Sequence, residues 1–244
     1  MNLQDCRKLA RDLVLTGELD PIYTMLYRAR GPKGDNWVAR FCMHFLMFYN
    51  AKEAYKAAYY KHFWDDTMAN YGNTERGKER RHFRGPTGLR SIRSLNILGK
   101  PEWVFFMLAG RHGLPRMAQI LRDNEVRGFG AYFLVKWADL LCNVFNEPIN
   151  FKDLPDMLPE PPAKCLSEIF PDLTARQAMD VIVSWVADLD DPFSGTRKCG
   201  YSEAETIACA IPTYLLRPRY KMGDDILKYK KQLADCPELL DLLP

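Results

Sequence analysis

Basic side chains crowd one short stretch of this sequence: Arg76, Lys78, Arg80, Arg81, Arg84, Arg90 and Arg93, opposed only by Glu75 and Glu79. Such a run neutralises phosphates; a solvated helix face or loop has the same composition. Farther along, Gly128-Phe129-Gly130 places two glycines around an apolar residue just before a helical pattern. Glycine lets a backbone turn tightly and approach a ligand, and the free N–H groups of the following helix suit a phosphate oxygen. An ordinary corner between two helices would look the same. Beyond the turn, Phe129, Phe133, Trp137, Leu140, Leu141 and Val144 form an apolar stripe, with Lys136 and Asp139 off it. Those two are three residues apart and in mutual reach, either as a surface ion pair or as a pair with a chemical task. The seven cysteines are scattered singly, with no CxxC pair and no histidine at ligand spacing. No metal site is therefore expected, and a reducing compartment is. Cys209 has no nearby histidine to activate it and reads as a small buried hydrophobe.

The elements that must position these residues are helices. Apolar residues recur at helical spacing, strand-like alternation is scarce, and Pro21, Pro86, Pro101 and Pro115 stand where helices begin. The pattern predicts an all-α chain with helices near 3–15, 21–30, 36–49, 51–68, 86–97, 101–110, 115–123, 130–145, 174–188, 202–214 and 223–234. Loops are expected at 71–85, 146–162 and 189–200. No internal repeat or low-complexity tract interrupts the chain, so residues 1–244 read as one helical domain, with two lobes as a variant. Tyr55–Trp64 interleaves aromatics with bases, which suits stacking on an extruded base or an amphipathic core helix.

The order helix, Gly-Phe-Gly turn, helix at about Arg116–Phe145, then a loop containing Pro148-Ile149-Asn150, resembles the helix-hairpin-helix DNA glycosylases. The resemblance implies a backbone grip on DNA through Gly128, Phe129 and Gly130. It also implies an aspartate about twenty residues past the second glycine. Asn150 stands at that place, with Asp153 next along, and Tyr132 replaces the lysine of the members with lyase activity. An amide cannot supply the negative charge that bond cleavage at the sugar needs.

Further stretches narrow the likeness. They are Glu75–Gly85, Gly128-Phe129-Gly130 through Lys136-Trp137-Ala138-Asp139, Glu203–Cys209 and Tyr220–Ile226, with Trp37, Arg40, Phe41, Phe48, Tyr49 and Asn50 upstream. Together they resemble the alpha-glutamyl/putrescinyl thymine pyrophosphorylase family of bacteriophages, the amino acid:DNA transferases. Membership implies displacement of pyrophosphate from pyrophosphorylated 5-hydroxymethyluracil in double-stranded DNA by the amine of an amino acid or polyamine. On that reading Glu75, Arg76, Arg80, Arg81 and Arg84 serve the pyrophosphate, and Asp139 or Glu205 takes the proton of the incoming amine. Lys136, or an arginine near Arg217 and Arg219, meets the carboxylate of an amino-acid substrate. The target base would be flipped into a pocket. No cofactor is indicated; magnesium assistance to the leaving group stays open.

Composition sets the outer limits. A net charge of +3 and 47% hydrophobic residues describe an ordinary globular chain with core enough to bury. No apolar run approaches the roughly twenty residues of a membrane span, and Met1–Leu13 lacks the apolar centre of a signal peptide. A cytoplasmic location, within an infected host cell if the phage likeness holds, is the expectation. A base-excising glycosylase and a non-catalytic helical DNA-binding module are the competing functions.

Overall fold

The computed structural model describes residues 2–77, 85–110, 112–216 and 221–244. Among them the chain is all-α. In order come α1 (Leu3–Leu15), α2 (Pro21–Lys33), α3 (Asp35–Phe48), α4 (Ala51–Ala58), α5 (Phe63–Ala69), α6 (Gly85–Asn96) and α7 (Pro101–Phe106). The second half holds α8 (Leu114–Asp123), α9 (Ala131–Phe145), α10 (Glu160–Ile169), α11 (Ala175–Val186), α12 (Tyr201–Ile211), α13 (Asp224–Gln232) and α14 (Pro237–Leu240). Extended pairing among the described residues is limited to isolated bridges, Gly113 with Asn150 and Asp190 with Lys198. No described helix is long and apolar enough to cross a membrane.

Local chemistry explains most of the boundaries. Asn2, Asn50 and Thr174 accept hydrogen bonds from backbone N–H groups in the first turns of α1, α4 and α11, satisfying donors that a helix start leaves unpaired. Two expectations need correction. The helix predicted over 51–68 is two helices. Arg40 of α3 donates to the Tyr60 carbonyl, and the Asp66 side chain accepts from the His62 N–H at 3.0 Å, starting α5 afresh. The stretch 146–162 also ends in a helix, because Pro161 and Pro162 fall in the first turn of α10, where their missing N–H groups cost nothing.

The packing order decides what the site can be. α3 is buried nearly throughout and packs on α4 and α7; α2 packs on α3 and α9; α12 packs on α1, α10 and α11. α9 is buried on every side from Leu134 to Phe145. Lys136 and Asp139, which could have been a surface pair, are therefore core residues, 6% and 1% exposed.

Candidate functional site

Charges in the core must find one another, and those of α9 do. The Lys136 ammonium lies 3.3 Å from Glu205 Oε2 of α12, 3.4 Å from Asp139 Oδ2 one turn along α9, and 3.8 Å from Asp20 Oδ2. Three carboxylates thus share one ammonium. Burial opposes the lysine's charge, but Glu205 first, then Tyr23, Asp20 and Asp139, outweigh it and hold its pKa well above the ordinary lysine value. The carboxylates cannot all be so favoured. Burial pushes Asp139 up to about 7, with Lys136 pulling it down and Glu205 adding to the rise. Its Oδ2 is near Lys136 yet makes no aligned hydrogen bond. A carboxyl poised near neutrality, set among fixed charges, is what proton transfer at physiological pH requires.

Asp20 brings this cluster to the surface. It stands at the start of α2 in a left-handed conformation, φ 48° and ψ 61°, and its side chain caps no helix. Instead Oδ2 accepts from the Thr206 hydroxyl at 3.1 Å. Asp20 and Thr206 line a cavity of about 240 Å³ with Pro21, Tyr49, Cys209, Thr213, Tyr214, Asp225, Lys228 and Tyr229. Tyr49 ends α3 in the same left-handed region, φ 53°. Two residues of the cavity wall other than glycine thus hold a backbone conformation that costs about 1–2 kcal/mol each. Such strain persists where the surroundings over-determine it, and it collects at functional sites.

A hydrogen-bonded frame fixes the cluster from behind. The Ser202 hydroxyl donates to Asp139 Oδ1 at 2.8 Å, and Asn143 Nδ2 donates to Ser202 at 3.3 Å. Arg197 donates to the side-chain amide oxygen of Asn143 and pairs with Glu203 at 2.5 Å. Glu203 also accepts from the Gly200 N–H at 2.8 Å, closing the start of α12. Lys136, Asp139 and Asn143 follow one face of α9, and Ser202, Glu205 and Thr206 follow the facing side of α12. Ser202, Asn143, Arg197 and Glu203 are each oriented by a partner, and Thr206 and Lys136 hold the Asp20 carboxylate at the cavity wall.

The other residues singled out in the sequence take different positions. Arg80, Arg81 and Arg84, like Arg217 and Arg219, lie outside the described residues. Arg76 is a brace: its guanidinium donates to the Thr74 and Tyr71 carbonyls and rests over the Tyr71 and Phe48 rings, 4.5 and 5.3 Å away. Glu75 is exposed and accepts from Asn50 Nδ2 at 3.4 Å. Asn150 and Asp153 do not join the cluster. Asn150 is exposed and folds its amide oxygen onto the Lys152 N–H at 3.0 Å.

At the turn, Gly128 has φ +78°, and a Cβ there would meet Ser91 Oγ at 2.0 Å, whereas one on Gly130 would meet nothing. Phe129 packs on Phe133 and Trp137, with centroids 5.1 and 5.7 Å apart. Cys209 lines the cavity, but its thiol's hydrogen bond with Cys165 and its burial push its pKa up, away from thiolate chemistry. Tyr55 and Tyr59 pack edge-on against Trp37. No group of three or more His, Cys, Asp or Glu among the described residues could hold a metal ion. Sequence reasoning missed Asp20, Ser202, Asn143, Arg197 and Lys228. One signal was present for Asp20, an acid directly before a helix-starting proline.

No family model matches the chain. It is 27% identical to the putrescinyltransferase of Delftia phage PhiW-14 over 244 residues, covering 93% of this chain and 78% of that protein. It is 25% identical to the glycinyltransferase of Pseudomonas phage PaMx11 over 256 residues, covering 90% of this chain and 86% of that protein. The chain is thus a distant homologue of phage enzymes that transfer an amino acid or a polyamine.

Proposed function

We propose that the protein is a DNA-modifying transferase. In this reading the amine of an amino acid or polyamine displaces pyrophosphate from the 5-methylene of pyrophosphorylated 5-hydroxymethyluracil in double-stranded DNA. The observation that carries the proposal is the carboxylate cluster around Lys136, opening at Asp20 onto a cavity sized for a small molecule. The two phage relatives supply the reaction class.

The chemistry assigns a task to each part. A free amine is mostly protonated at neutral pH and must lose a proton before it attacks. Asp20, at the cavity wall, accepts that proton, while Lys136 and Thr206 hold its oxygen in place. The freed nitrogen lone pair forms the new C–N bond as the C–O bond to pyrophosphate breaks, and that bond's electrons leave with the pyrophosphate. The nitrogen sheds its second proton to an oxygen of the departed pyrophosphate, while Asp139, poised near neutrality, and Glu205 balance the charge at Lys136 behind Asp20. Cations aimed at the departing oxygens stabilise the transition state more than the ground state. Arg80, Arg81 and Arg84 fill that role in this reading. Gly77, the last described residue before them, donates its N–H to the Phe48 carbonyl at 2.9 Å, next to Tyr49 of the wall. Arginine suits the task through its planar fork, which grips two phosphate oxygens at once.

The Gly128–Gly130 turn and the uncapped start of α9 serve as a DNA-backbone contact in this proposal. Base excision is the weaker alternative, because the amide of Asn150 is spent on its own loop. Mass spectrometry of nucleosides, after incubation with pyrophosphorylated DNA and a panel of amines, tests the reading. A thymine adduct with released pyrophosphate is expected; free base or unchanged DNA would reject it.

A further inference from the structure

The charges around the cavity are not equally satisfied. Asp20 is held by Lys136 and Thr206. Glu18, 2% exposed behind the wall, accepts from the Asp225 N–H at 2.9 Å and so anchors the start of α13. Lys228, one turn farther along α13, is different. It lines the cavity and forms no ion pair with a described residue. Its ammonium rests over the rings of Tyr49 and Tyr229, 5.6 and 5.3 Å from their centroids. Ring faces hold a cation in place without neutralising it. Thr206 and Asp20 therefore mark one side of the cavity as the seat for an ammonium, and Lys228, one turn along α13 from the Asp225 of the same wall, brings a positive charge without an ion pair to a described residue.

We infer that this cavity selects the α-amino-acid class of amine, with the ammonium at Asp20 and the carboxylate at Lys228. The inference rests on the transferase reading above and narrows its substrate. A diamine also satisfies Asp20, but its second ammonium has to share the cavity with Lys228. Exclusion of the diamine thus comes from a repulsive element as well as from an attractive one. A substrate amide that lacks the carboxylate leaves Lys228 unpaired in a partly desolvated place, which is where discrimination by charge is strongest. The same lysine could instead meet an anion of the DNA substrate, and the test separates the two sources.

Single-turnover transfer to pyrophosphorylated DNA is measured with glycine, L-serine, L-glutamate, glycinamide and putrescine, for the wild type and for Lys228→Glu. The expected result is a preference of on the order of tenfold or more for an amino acid over glycinamide and putrescine. Lys228→Glu is expected to reverse that order in favour of putrescine. Equal rates for glycine and glycinamide, or a wild-type preference for putrescine, would overturn the inference. So would a uniform loss with every amine in Lys228→Glu, which assigns the lysine to the DNA's phosphates. Calorimetric titration of the DNA-free protein with the same five compounds keeps the two readings apart. If nothing is transferred but an amino acid binds and Lys228→Glu abolishes that binding, the transferase reading fails and the selectivity stands. If none of the amino acids binds and none is transferred, both fall.

Discussion

The start of α9 and its middle sit in opposite environments. At the start, the Gly128-Phe129-Gly130 turn lies at the surface, and its most constrained member, Gly128, is set by packing: its Cβ would overlap Ser91 Oγ. In the middle, Lys136 and Asp139 are enclosed on every side, and packing alone gives no reason for them. A core of this composition would be at least as stable with apolar residues of similar volume. Packing accounts for the exposed glycine and leaves the buried charges unaccounted for, which is where the proposed chemistry puts its proton relay. Sequence alone leaves the turn open between a corner and a phosphate grip, and the charged pair open between a surface ion pair and a chemical task.

The largest expected effect breaks the middle of α9. Lys136→Met leaves three carboxylates without their shared cation, and should destabilise the fold by about 3–5 kcal/mol in urea denaturation. A loss under about 1 kcal/mol would mean that the cluster is open to water or already neutral. Next comes the turn. Gly128→Ala combines a left-handed alanine with the Ser91 overlap and should cost about 2 kcal/mol. Ser91→Gly in the same chain should restore part of it; without that rescue, the close approach is not what fixes the glycine.

A smaller effect depends on pH. Asp139 is raised by burial to about 7 from 3.8, so between those values the folded chain holds a proton that the unfolded chain has lost. Stability from this group is therefore greatest at low pH and is lost as pH rises through that window, by at most about 1.4 kcal/mol per unit. Asp139→Asn should flatten that part of the stability profile and slow transfer at neutral pH, with partial recovery as alkali supplies neutral amine. The smallest effect contrasts the two glycines. Gly130→Asp places a preferred cap in open space at the start of α9 and should stabilise the fold by about 0.5 kcal/mol. It should also weaken DNA binding if the turn meets phosphate. Unchanged affinity would make the turn a corner and nothing more.

Much of the helical plan was legible because periodicity and starting prolines are local signals. Its errors came where a distant side chain intervened, as when Arg40 took the Tyr60 carbonyl. The site was legible in part. Lys136, Asp139 and Glu205 stood out by type and setting, and the structure brings them together. Asp20 did not, because its partner Thr206 lies 186 residues away and only the fold joins them. Lys228 was equally hidden, since the sequence shows a lysine on a polar helix and not the aromatic faces of Tyr49 and Tyr229 beneath it. For Arg76 the resemblance implies a pyrophosphate contact, and the sequence does not show that its guanidinium donates to the Thr74 and Tyr71 carbonyls.

The most direct test of the central claim, that Asp20 takes the proton of an amine bound in the cavity, is single-turnover transfer by Asp20→Asn. Asparagine keeps the size of the side chain and tolerates the left-handed backbone at φ 48°, so the fold should be retained. The account predicts that transfer to pyrophosphorylated DNA slows by about 10²–10⁴-fold at neutral pH, with DNA affinity unchanged. A folded Asp20→Asn protein that transfers at the wild-type rate would contradict it.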